Sequence, residues 1–98
     1  MAVLPSTVDA RAPAFARNAG VLKRLVEELR GKLDTVRQGG SEEARKRHES
    51  RGKLLARERI SRLIDPDTAL LELSPLAAHD MYGGDVPAAS IVTGIGRV

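Results

Sequence analysis

Apolar positions recur with a helical period through the first third of the chain. Val21, Leu25, Leu29 and Leu33 stand four residues apart, and Leu22, Val26 and Val36 widen the stripe. The spacing predicts an amphipathic helix over about 15–37. Gly39 and Gly40 end it, because glycine takes the left-handed conformation that closes a helix. Ser41 then reads as an N-cap, with Glu42 and Glu43 in the first turn, where the helix dipole favours acids. This second helix, about 41–49, is nearly all polar, and Ala44 is its only residue suited to burial. Gly52 breaks it. A third helix, about 55–64, has an apolar face of Leu55, Ile60, Leu63 and Ile64, and 65–68, with Pro66, reads as a turn.

Beyond that turn the helical period is lost. Residues 69–74 and the β-branched stretch 90–97 read as short strands, joined by a loop over 79–89 that contains Gly83, Gly84 and Pro87. The pattern predicts a mainly helical piece followed by short strands. Residues 1–14, with Pro5 and Pro13, read as a disordered leader. The strand at 90–97 has no hairpin partner after it, so 15–98 reads as an incomplete portion of a larger domain.

Composition sharpens this picture. Phe15 and Tyr82 are the only aromatics among 98 residues, so large side chains for a self-sufficient core are scarce. On its own the chain is expected to be loosely ordered or prone to aggregate. No cysteine is present, which removes disulfides, thiolate catalysis and cysteine metal sites. No apolar run approaches the ~20 residues that span a bilayer, so no membrane partner is expected.

The net charge is +3, and it is concentrated. From Glu42 to Arg62 eight Lys or Arg face four Glu. Such a window attracts phosphate, serves as a solvated helical face, or lines a subunit contact. Nucleic acid is not the expected partner, because stacking aromatics and every familiar reader motif are missing. His48 and His79 are too far apart for a metal pair, and no metal is expected. His79 and Asp80 are neighbours in sequence, a spacing at which side chains do not generally meet. Gly94 and Gly96 lack the third glycine and following helix of a dinucleotide site.

One run carries more. "ARKRHESRGKLLARERISRLIDPDTALLELSPLA", residues 44–77, contains His48, Ser50, Arg51, Gly52, Lys53 and Leu54, followed by Arg57, Glu58, Arg59 and Ile60, then Leu63, Asp65, Pro66, Leu71, Glu72 and Leu73. With the Gly39–Gly40 pair before it and "DVPAASIVTGIGRV" after it, the run resembles the start of the carboxyltransferase (β) subunit of biotin-dependent acyl-CoA carboxylases. Within that family it is most similar to the methylcrotonoyl-CoA carboxylase group. The likeness covers about residues 20–98. It departs at Ala56, where proline is common, and at Ala88–Ala89, where a glycine-rich pair is usual. Both departures are expected to be tolerated.

The resemblance implies an α/β, crotonase-like fold in the parent, of which this chain would be the front of the N-domain. It implies a subunit that moves a carboxyl group from carboxybiotin, held on a partner subunit or domain, to an acyl-CoA such as 3-methylcrotonoyl-CoA. Oxyanions would be stabilised there by backbone N–H groups in loops that the segment lacks. It also implies homo-oligomers, and a bacterial cytoplasm or a mitochondrial matrix as the setting. The alternatives are a propionyl- or acetyl-CoA type of carboxyltransferase, and a non-catalytic helical interaction module derived from the family. No catalytic residue is expected within the 98 residues, and the chain alone is expected to be inactive. Arg51 and Lys53, either side of the Gly52 break, are the expected contacts for coenzyme A phosphates, since a glycine break lets backbone and long side chains approach an anion together. Pairing with Glu58 or with a neighbouring subunit is the competing role.

Overall fold

The structure, a computed structural model, describes residues 2–98. It divides into a unit ending at Gly31 and a unit of Lys32–Val98. The elements are α1 (Pro13–Gln38), α2 (Glu42–Ser50), α3 (Ala56–Leu63), β1 (Leu71–Leu73) and β2 (Thr93–Ile95). Two short 3-10 turns, Met81–Gly84 and Pro87–Ser90, lie between the strands. Helices dominate and the two strands are short, as the pattern predicts.

In the first unit, residues 2–9 have no regular structure. A turn follows, with the Ala12 amide donating to Asp9 O at 3.1 Å and the Arg11 amide to Asp9 Oδ1 at 2.9 Å. It delivers the chain into α1 at Pro13, earlier than the expected residue 15. Proline suits this first helical position, because its missing N–H would have no helical acceptor there and its φ is already set. The apolar stripe of α1 does not find a core in this unit: Val21, Leu22, Leu25, Val26 and Leu29 are all exposed.

The second unit is held by caps and one sheet. Gly39 closes α1 at φ +85°, its amide donating to Val36 O at 3.0 Å. Ser41 Oγ accepts from the Ala44 amide at 3.2 Å and caps α2 as expected. Burial on α2 differs from the expectation: Ala44 is exposed, whereas Arg45 and His48 are half-buried. At the start of α3, Glu58 Oε2 accepts from the Leu55 amide at 3.1 Å. Leu55 has no side-chain acceptor to reciprocate, so this is half of a capping box. Leu55, Ile60 and Ile64 are half-buried, but Leu63 is 66% exposed and leaves the expected apolar face.

β1 and β2 pair antiparallel, Leu71 with Ile95, Glu72 with Gly94 and Leu73 with Thr93. Both strands are shorter than the expected 69–74 and 90–97. Ser74 at φ +49° ends β1, and Ser90 at φ +61° belongs to the preceding turn, so neither can continue a ladder. Side chains alternate across a strand. Leu70, Glu72, Gly94 and Gly96 therefore share one face, and Leu71, Leu73, Thr93 and Ile95 the other, exposed face. Ile64 lies against Gly96 on the first face. The Asp65 amide donates to Arg97 O at 2.7 Å, and Arg97 Nε lies 3.2 Å from Asp65 Oδ2, tying the end of α3 to the residues after β2. Full burial among the described residues is confined to Val36 and Ala88.

Ala88 and Ala89 require a correction. They stand where the family favours glycine, and both are left-handed, at φ +53° and +51°. In that region a Cβ costs about 1–2 kcal/mol. Ala89 is exposed, so Ala89→Gly is expected to stabilise the chain by roughly 0.5–1 kcal/mol, after allowance for the extra freedom glycine gives the unfolded chain. Ala88→Gly relieves similar strain but gives up a buried methyl of about 0.8 kcal/mol, so it should be close to neutral. Paired urea titrations check both, and a destabilised Ala89→Gly would contradict the strain argument.

Candidate functional site

The helix ends of the second unit converge on an open cleft of about 400 Å³. Gly39 and Gly40 form one side, Arg45 and His48 of α2 another, and Arg57 at the start of α3 a third, with Ile91 among the apolar residues opposite. Arg45 and His48 meet here because they are three residues apart on one helix face. The glycines leave the entrance open, since a Cβ on Gly39 would meet nothing within 4 Å.

The basic side chains of this cleft are unequally committed. Arg37 bridges to Asp34 at 3.1 Å. His48 Nε2 donates to Leu54 O at 2.9 Å, which fixes that nitrogen as the protonated one, because a carbonyl can only accept. Arg57 is the most committed. Its Nη1 donates to Val36 O at 3.0 Å, its Nε to Glu72 Oε2 at 3.3 Å, and its Nη2 to Glu72 Oε1. The two side chains of the Arg57–Glu72 pair are only 22% and 18% exposed. Arg57 therefore ties the end of α1 and β1 to α3. Arg45 remains. Its Nε is buried with no hydrogen-bond partner, and no ion pair forms on it among the described residues. A half-buried guanidinium without a counter-charge in an open cleft is suited to an anionic group, through a two-pronged contact with a carboxylate or phosphate.

The sequence-based site residues lie elsewhere. Arg51 and Lys53 are exposed on the α2–α3 connection and do not line the cleft. Gly52 between them is left-handed at φ +73°, so the break is real. Neither side chain pairs with Glu58, whose carboxylate caps α3 instead. Sequence reasoning missed Arg45 and the Arg57–Glu72 pair. The three-residue step from Arg45 to His48 was the available signal for the first. Only folding brings together Arg57 and Glu72, fifteen residues apart.

His79 and Asp80 depart from expectation too. Asp80 is left-handed at φ +59°, and its Oδ2 lies 3.3 Å from His79 Nε2. Both line a smaller cavity of about 150 Å³ beside Val36 and Ala88. No group of three His, Asp or Glu capable of holding a metal occurs among the described residues, and no helix is long and apolar enough to cross a membrane.

The chain is 59% identical over 87 residues to the biotin-dependent 3-methylcrotonyl-coenzyme A carboxylase beta1 subunit of Mycobacterium tuberculosis, covering 89% of this chain and 16% of that protein. It is 47% identical over 96 residues to the mitochondrial methylcrotonoyl-CoA carboxylase beta chain of Arabidopsis thaliana, covering 98% of this chain and 16% of the relative. A probable biotin-dependent acyl-coenzyme A carboxylase beta2 subunit of M. tuberculosis is 43% identical over 97 residues, covering 98% of this chain and 18% of the relative. The chain thus spans about one sixth of the length of these relatives. Residues 47–98, more than half of the chain, match the carboxyl transferase domain family, from the last turn of α2 through α3 to the paired strands. The chain belongs to that carboxyl transferase domain family.

Proposed function

We propose that this chain is the N-terminal portion of the carboxyltransferase subunit of a biotin-dependent acyl-CoA carboxylase, with 3-methylcrotonoyl-CoA as the acceptor. The 59% identity to a 3-methylcrotonyl-coenzyme A carboxylase beta1 subunit carries this reading. On it, the parent has a crotonase-like fold, biotin arrives on a partner subunit, and the carboxyltransferase subunits form a homo-oligomer. The segment supplies entry helices and a first strand pair rather than reacting groups, and alone it is inactive.

The test is a carboxylation assay on the whole subunit together with a biotin-carrying partner. Bicarbonate incorporation should be faster with 3-methylcrotonoyl-CoA than with propionyl-CoA or acetyl-CoA. A preference for propionyl-CoA would move the chain to the other branch of the family, and no incorporation with any of the three would remove the enzymatic reading.

Arg51 and Lys53 remain the proposed contacts for coenzyme A phosphates. Their exposure and their lack of a carboxylate partner among the described residues support this role. Arg51→Ala and Lys53→Ala, in the whole subunit, should each raise the acyl-CoA KM several-fold with kcat unchanged, the signature of lost uniform binding. Unchanged kinetics with a changed oligomeric state would assign both residues to a subunit contact.

A further inference from the structure

Arg45 sets the cleft of the Lys32–Val98 unit apart from an ordinary surface hollow. Its Nε is buried without an acceptor, whereas Arg37 is held by Asp34, His48 by Leu54 O, and Arg57 by Glu72 and Val36 O. A buried N–H that has left water without finding an acceptor is costly, and folded proteins nearly always supply one. On a guanidinium the acceptor that answers both the N–H and the charge is an oxyanion.

The lining limits which oxyanion fits. Glu58 and Asp85 also border the cleft, and neither forms an ion pair with Arg45 among the described residues. Glu58 is engaged with the Leu55 amide, and Asp85 is exposed. A phosphate with two or more charges would meet these two acids with one uncommitted cation to balance it. A lone carboxylate is matched by Arg45 alone. Leu55, Pro87 and Val92 add apolar lining, which suits the carbon stem of an Asp or Glu side chain better than a hydrated free ion. Size then separates the sources of that side chain. A separate protein needs about 800 Å² of contact on each partner, far more than a cleft of about 400 Å³ provides. A segment of the same polypeptide needs no such area, because the covalent link makes its docking intramolecular. The chain spans about one sixth of the length of its relatives, which leaves ample chain to supply the segment.

We propose that the Arg45 cleft receives one Asp or Glu side chain from the remainder of the same subunit, outside these 98 residues, and anchors that remainder on α2. This rests on the carboxyltransferase reading, which makes the chain a portion of a longer subunit. The test uses the whole subunit carrying Arg45→Lys, treated with a water-soluble carbodiimide, which joins an amine to a carboxylate in contact with it. Isotopically light and heavy subunits are mixed and reassembled beforehand, and the joined peptides are identified by mass spectrometry. The amine at position 45 should be joined to an Asp or Glu outside residues 1–98, in pairs of peptides that are both light or both heavy. Pairs of mixed label would give the carboxylate to a neighbouring subunit. A join confined to residues 1–98, such as Asp85 or Glu58, would mean that the cleft satisfies itself. No join at position 45 would leave Arg45 to water or a free anion. Each of these three outcomes overturns the proposal. Arg45→Met gives a second readout on the whole subunit. With a carboxylate facing position 45, loss of the cation strands that charge and should lower the thermal midpoint, whereas an unchanged or raised midpoint overturns the proposal. Carboxylation by the unmodified subunit keeps the two readings apart. An active subunit whose Arg45→Lys variant shows no join loses this proposal alone, and a join in a subunit inactive toward 3-methylcrotonoyl-, propionyl- and acetyl-CoA loses only the carboxyltransferase reading.

Discussion

Arg57→Ala is expected to destabilise the Lys32–Val98 unit by about 2–4 kcal/mol. Breaking a fully buried ion pair from one side costs roughly 3–5 kcal/mol, because the remaining charge is stranded. Here the two side chains retain about a fifth of their exposure, so the lower figure is used. Two losses contribute. The Glu72 carboxylate loses both of its guanidinium hydrogen bonds, and Val36 O loses the second of its two donors and keeps only the Gly39 amide. Arg57→Lys keeps the charge but not the planar fork, so it should recover only part of the loss. Arg57→Met combined with Glu72→Leu removes both charges and should be milder than Arg57→Ala, because no unpaired ion remains. Urea titration of the three variants, followed by circular dichroism, checks this order. A loss below ~1 kcal/mol for Arg57→Ala would reduce the contact to the level of a surface pair.

The same contact shows where sequence reasoning reached and where it stopped. The ends of α1 and α2 were legible because they are local. A left-handed glycine at 39 and a serine oxygen at 41 act within one turn of chain. The family was legible too, because the run from His48 to Leu73 fixes residue types at many positions at once. Arg57 and Glu72 both stood in that run, yet their union depends on how α3 leads through the turn at 65–68 into β1. That is a tertiary outcome, and no period along the chain reports it. Ala44 and Leu63 failed for a related reason. Apolar character made them suited to burial, but each needs a neighbour on its face, and with so few large side chains the unit has none to give. Arg45 takes a half-buried place that its residue type argued against. On sequence alone, alanine in place of glycine at Ala88 and Ala89 looks mild. Only φ reveals the cost.

Gly94→Ala is expected to destabilise the strand pair by about 1–3 kcal/mol, the usual cost of forcing an extra methyl into a filled site. Gly94 is not a positive-φ glycine, so the reason is space and not backbone freedom. A Cβ there would stand 2.8 Å from Leu71 O and 2.9 Å from Leu70 Cδ1. Leu70 can turn aside, but Leu71 O is backbone of the paired strand and moves only if the strands part. The cost therefore falls on the ladder itself. Gly96→Ala makes a useful contrast. Its new methyl would meet Ile64 Cγ2 at 2.7 Å, a side-chain contact, so it should cost less than Gly94→Ala. Thr93→Ala, at an exposed position on the opposite face, should cost least. Gly94 also faces Glu72 across the sheet. A displaced β1 would draw the Glu72 carboxylate away from Arg57, so the two lesions share one contact. The double variant Gly94→Ala, Arg57→Ala should then lose less than the two single losses combined, by more than the ~0.5 kcal/mol that separates independent sites. Strict additivity in a double-mutant cycle would mean that the methyl at 94 is absorbed without moving β1.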